Sequence, residues 1–173
     1  MTSFRWLELW EVAEEAARLA NDDPRYVFEP IGLLLQPPAE PLVSGYESTP
    51  IGAVTFASTG GDGVHFSAWV GPAGPVIVMT VPMNVARPNI AVGLGLSDFL
   101  ALGCMSGYFG LEQLAYSYAT TAEWLGNPAA PLDATASKQL ALLRDRFALE
   151  PWSDPVTRLN ELQLRLPGGG VSH

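Results

Sequence analysis

From Gly63 to Ala86 the chain carries no formal charge, and His65 is the one titratable side chain in the run. So long an uncharged stretch has to be buried, either in a bilayer or in a protein core. Gly71, Pro72, Gly74, Pro75 and Pro82 interrupt it too often for a membrane-spanning helix. Buried strands remain. Val64 to Val70 alternates at the two-residue period of a strand, and Pro75 to Val81 is continuously apolar. A continuous apolar strand is one buried on both faces, so this segment is expected at the centre of a sheet. Ala53 to Phe56 turns to strand-forming residues just before, and Ser58-Thr59-Gly60-Gly61-Asp62-Gly63 supplies glycines for the positive φ angles of a hairpin turn.

Helical patterns flank this β-rich centre. Trp6, Leu9, Trp10, Ala13, Ala16, Ala17 and Ala20 recur at steps of three and four, which predicts an amphipathic helix over residues 4–20 with Ser3 as its N-cap and its stop in Asn21-Asp22-Asp23-Pro24. A strand at Tyr26–Phe28 or Gly32–Leu35 is expected next, then a proline-punctuated loop over Gln36–Pro50. Asn89 to Val92 reads as a short edge strand, and Ser97 as the cap of a helix opening Asp98-Phe99-Leu100 and reaching about Cys104. One continuous helix is expected from Leu111 to Leu125, another from Ala134 to Ala148, and a last one opened by Asp154-Pro155 and reaching about Leu164. The result is an α+β domain over residues 1–166, with 167–173 expected as a disordered tail.

Composition narrows the function. At 173 residues, 48% hydrophobic and 16% charged, the chain is long and apolar enough to bury its own core. Its formal net charge is −9 and Lys138 is its only lysine, so it offers no basic stripe for nucleic acid or an anionic membrane. An acidic surface does steer basic proteins toward it. The lone cysteine, Cys104, leaves no internal disulfide, and acids follow the N-terminus before any apolar run long enough for a signal peptide, so a cytoplasmic protein is expected.

The order of these features carries a resemblance. The pieces are Phe56-Ala57-Ser58-Thr59-Gly60-Gly61-Asp62-Gly63-Val64-His65-Phe66, then Gly74-Pro75-Val76-Ile77-Val78-Met79, then Asn89-Ile90-Ala91-Val92-Gly93 and Leu96-Ser97-Asp98-Phe99-Leu100. In that order and spacing, the stretch from Val54 to Leu114 resembles the SUKH superfamily, which includes fungal cell-wall regulators and bacterial immunity proteins that neutralise toxins. The resemblance implies one mixed, mainly antiparallel sheet packed against flanking helices, with the helices after Leu125 additional. It also implies a role in protein recognition without catalysis or cofactor, the partner being a basic toxin domain.

The residues open to chemistry are few. Asp62 and His65 stand three apart at the hairpin and, with Ser58 or Thr59, allow a hydrolase or a small-molecule pocket. An aspartate in such a turn more often bonds local backbone, and a strand histidine is more often structural. There is no Gly-x-Ser-x-Gly elbow, and no lysine follows the glycine run to hold a phosphate. With His65 and His173 as the only histidines, no metal set is expected. Cys104, between Leu102 and Met105, reads as a buried thiol. Arg87, in the loop Met83-Asn84-Val85-Ala86-Arg87-Pro88-Asn89, is expected to pair with Asp62 or Asp98 or to reach a partner. Tyr108-Phe109, Tyr116, Tyr118 and Trp124 supply aromatic surface for a hot spot or for the core. Asp62, His65, Asn84, Arg87 and Tyr108 are therefore the candidate binding residues. The functions in competition are a protein-binding module, a small-molecule sensor or hydrolase, and a self-associating subunit.

Overall fold

The computed structural model describes residues 4–128 and 132–168; the expected Ser3 cap and most of the expected tail lie outside them. Five strands form one sheet in the order β1 to β5: β1 Leu34–Leu35, β2 Val54–Ser58, β3 His65–Gly71, β4 Gly74–Thr80 and β5 Asn89–Gly93. Every pairing is antiparallel, so the sheet is not mixed. Short connections between successive neighbours account for this, because a parallel pair needs a long crossover. Of the two N-terminal strand alternatives, the one at Gly32–Leu35 forms; Tyr26–Phe28 is a turn leading into a 3₁₀ segment at Glu29–Ile31.

Among the described residues six α-helices accompany the sheet: α1 Trp6–Ala20, α2 Leu96–Gly103, α3 Gln113–Tyr116, α4 Tyr118–Gly126, α5 Ala134–Phe147 and α6 Pro155–Gln163. Local chemistry explains their ends. Asn21 stops α1 in the left-handed conformation at φ 52°, with its N–H donating to the Ala17 carbonyl. The Asp133 carboxylate accepts from Ala136 N at 2.7 Å and opens α5, and Asp154, followed by Pro155, accepts from Thr157 N at 3.0 Å and opens α6. Ser97 does not cap α2. The helix starts two residues before Asp98, at Leu96, and the Ser97 hydroxyl instead accepts from Arg5 Nη1 at 2.9 Å. The single helix expected over 111–125 is divided as well. Ser117, at φ −141° and ψ 61°, leaves helical conformation and separates α3 from α4.

Alternation along β3 sends Phe66 and Ala68 to one face of the sheet and His65, Ser67 and Trp69 to the other. On the first face Phe56, Phe66 and Tyr108 pack around Phe99, with Phe66 and Phe99 centroids 4.8 Å apart and Phe99 and Tyr108 5.2 Å apart. This is the main core, completed by α1, α2 and α5. On the opposite face Val76, Val78 and Ala91 pack against Leu162 of α6. β4 is therefore buried on both faces, as its apolar run requires, yet it is not central: β3 occupies the middle of the order, and α6 supplies the second cover.

Gln163 secures that cover. Its Oε1 accepts from Ala91 N at 2.9 Å and its Nε2 donates to Ala91 O at 2.8 Å, so one amide closes the outer backbone groups of edge strand β5. A sheet edge treated in this way is no longer a template for another strand.

Candidate functional site

The antiparallel register gathers four of the five candidate residues at one end of the sheet. His65 opens β3 opposite Ser58, which closes β2; it also faces Thr80, which closes β4, and Thr80 faces Asn89, which opens β5. The hairpin bearing Asp62 and the loop bearing Asn84 and Arg87 therefore leave the sheet at the same end.

His65 is the most constrained of them. It is buried, its Nδ1 lies 2.7 Å from the Gly63 carbonyl and its Nε2 lies 3.0 Å from the Thr49 hydroxyl. A carbonyl can only accept, so Nδ1 carries the proton; when the ring is neutral, Nε2 accepts from the Thr49 hydroxyl. Burial pushes its pKa below the ordinary value, opposed in part by the bond to Gly63. The Tyr46 ring stacks on it at 5.8 Å between centroids and 18° between planes. Both nitrogens are used inside the protein, which makes His65 a strut holding the 46–49 segment to β3.

A second strut lies beside the first. Thr80 Oγ1 donates to Asn89 Oδ1 at 2.8 Å, and Asn89 Nδ2 donates to the Ser48 carbonyl at 2.7 Å. Thr55 and Ser67 join hydroxyls at 3.0 Å, and Trp69 Nε1 donates to the Ile51 carbonyl at 3.0 Å. The polar side chains on this face thus convert the proline-rich segment before β2 into a fixed cover. Composition marked that segment as a loop; only the hydrogen bonds show that it is anchored.

Asp62 is exposed in the turn at φ 50°, with Gly60 at 83° and Gly63 at 72°. The φ of 72° at Gly63 is one that glycine adopts freely, and the Tyr46 hydroxyl occupies the space a Cβ there would take. The cavity at this mouth, lined by Leu42, Tyr46, Ser58, Gly60 and His65, measures about 240 Å³. It is smaller than the roughly 300–1,000 Å³ usual for organic ligands.

Asn84 has a structural task. Its Nδ2 donates to the Ala115 carbonyl at 2.6 Å and its Oδ1 accepts from Arg87 N at 3.0 Å, which ties the 81–88 loop to α3 and folds it on itself. Arg87 makes neither expected ion pair. Asp98 is taken by Arg158 at 2.5 Å, and the Arg87 guanidinium carbon sits 4.4 Å over the Tyr118 ring instead. Tyr108 departs furthest from the expected surface role. It is fully buried and donates its hydroxyl to the Leu100 carbonyl at 2.7 Å, occupying space that Gly103 leaves open: a Cβ on Gly103 would lie 2.4 Å from its ring. Cys104 is buried too, and burial raises its thiol pKa.

Besides Asp62, this end exposes apolar side chains. Met83 and Val85 stand out from the 81–88 loop at 69% and 90% exposure, and half-exposed Tyr116 follows Ala115, to which that loop is tied. The sequence places both in the loop Met83–Asn89, but nothing in their spacing announces that they stand exposed.

The molecule at this point is an antiparallel α+β protein whose sheet ends in an anchored apolar loop. Comparison with family models, with curated proteins and with solved structures finds no match in any of the three. No helix among the described residues is long and apolar enough to cross a membrane, and no cluster of metal-ligating side chains occurs among them.

Proposed function

We propose that the chain is a non-catalytic protein-binding module of the immunity type, which neutralises a cognate toxin by covering it with the hairpin end of the sheet. One observation carries the reading: Met83 and Val85 are held outward on a loop that the Asn84 side chain fastens at two points. Exposed apolar side chains on a mobile loop lose ordering entropy on association; on a fastened loop that cost is already met. Tyr46 and Tyr116 add amphipathic rings of the type enriched at interface hot spots. His65 supports the same reading, because a neutral ring with both nitrogens engaged serves as scaffold. The acidic net charge adds long-range attraction for a basic partner.

The test is affinity capture from the native host, run in parallel with wild type and a Met83→Glu/Val85→Glu double variant of equal thermal stability. Wild type is expected to retain a basic toxin-like protein, and the double variant to lose it at least about tenfold. Equal retention by both, or retention of nothing, overturns the proposal. Retention of a second copy of the chain alone replaces it with self-association.

A further inference from the structure

A second feature lies on the face of the sheet opposite the main core. Between the 50–51 segment, the 86–89 segment and residues 166–168 runs a cleft of about 780 Å³, lined by Pro50, Ile51, Trp69, Arg87, Pro88 and Leu166 among others. It is within the size range of organic ligand sites and more than three times the cavity at the hairpin mouth.

Its walls combine an indole and proline rings with the side-chain amides of Asn89 and Gln163, and Arg87 is the only charged side chain among the described residues that lines it. Among the described residues close ion pairs engage Arg5, Arg25, Arg146 and Arg158, while Arg87, like Arg18, Arg144 and Arg165, pairs with no acid. Its contact with Tyr118 uses the face of the ring and leaves the five N–H donors of the guanidinium unspent. The stack also immobilises the fork, which is the costly part of binding with a long side chain.

We propose that this cleft binds a small planar monocarboxylate, an aromatic acid whose carboxylate takes the Arg87 fork and whose ring lies along Trp69 and the prolines. One guanidinium matches one negative charge in a bidentate pair. A phosphate monoester would bring about two charges to a single cation, with no lysine in the cleft to meet the second. The site is separate from the surface proposed for protein binding, since neither Met83 nor Val85 lines it.

The test uses the full chain and titration calorimetry with benzoate, phenylacetate and indole-3-acetate, each against its neutral amide. At least one acid is expected to bind saturably, at least about tenfold more tightly than its amide. Arg87→Met should weaken that acid about tenfold or more. Ile51→Glu, a change at a fully exposed rim position, should weaken it through charge repulsion without altering thermal stability. No saturable binding by any of the three acids overturns the proposal. So does equal affinity for acid and amide, or an unchanged affinity in a folded Arg87→Met protein. Loss of toxin capture in the Met83→Glu/Val85→Glu variant with acid binding intact separates this outcome from that of the protein-binding reading.

Discussion

The Nδ1–H of His65 donates to the carbonyl of Gly63, two residues earlier, at 2.7 Å, and this one bond fixes the tautomer of a ring buried at the mouth of the hairpin. Burial, which outweighs the opposing effect of this bond, makes the folded protein favour the neutral ring. Because burial lowers the pKa of the folded state below its ordinary value near 6.5, the unfolded chain binds the proton more readily. The stability His65 contributes is complete above about pH 6.5 and is lost as the pH falls from there. Urea unfolding at pH values between about 7.5 and 5.5 should show stability declining with acidity, and a His65→Gln variant should decline less. Identical slopes for the two proteins would contradict the assignment.

Gln163 closes both backbone groups of Ala91 from the outside. Replacing it by leucine keeps the volume and strands a buried N–H and a buried C=O, each costing about 1–3 kcal/mol. Gln163→Leu is therefore expected to lose about 2–4 kcal/mol by denaturant titration. Amide exchange at Ala91 should accelerate more than at Val78 in the neighbouring strand. Retained protection at Ala91 would mean that another group replaces the glutamine.

Gly93 shows where β5 and α2 meet. A Cβ there would stand 2.7 Å from the Phe99 nitrogen and 3.0 Å from its Cα, both backbone atoms of a packed helix. Neither can rotate away. Gly93→Ala should cost about 2–3 kcal/mol as an overpacked core does, whereas Gly95→Ala, two residues on with nothing within 4 Å, should change stability far less. Equal effects at the two sites would show that the β5 to α2 junction can shift.

Tyr108 separates a core role from a recognition role. Tyr108→Phe removes only the hydroxyl that reaches Leu100, so a loss of about 1–2 kcal/mol is expected with partner capture unchanged once both proteins are folded. Weaker capture at equal foldedness would return Tyr108 to the candidate surface.

Much of the fold is legible along the chain because its signals are local. The hairpin at Ser58–Gly63 follows from glycines that accept positive φ, and the Asp154-Pro155 opening of α6 from a carboxylate placed to accept the next free N–H. The break at Ser117 and the early start of α2 at Leu96 are not legible, because each depends on what the segment packs against. The candidate site divides in the same way. Asp62, Asn84 and Arg87 are recognisable as loop residues beside strand ends, and antiparallel order brings them together. Trp69 and Gln163 escape notice, since an indole on a strand and an amide on a helix have no meaning until the opposite face is covered.

Residue order alone determined that this chain would bury an uncharged run as strands, turn at its glycines and flank the sheet with amphipathic helices. These outcomes rest on backbone preferences and on side-chain periods, which act over a few residues. Tertiary structure decided which of those residues meet. It turned Tyr108 into the core, paired Asp98 with Arg158, left Arg87 over Tyr118 facing a cleft, and held Met83 and Val85 in the open. Those are contacts between segments far apart in the chain, settled by the competition for one buried volume and for the few partners able to satisfy each buried polar group.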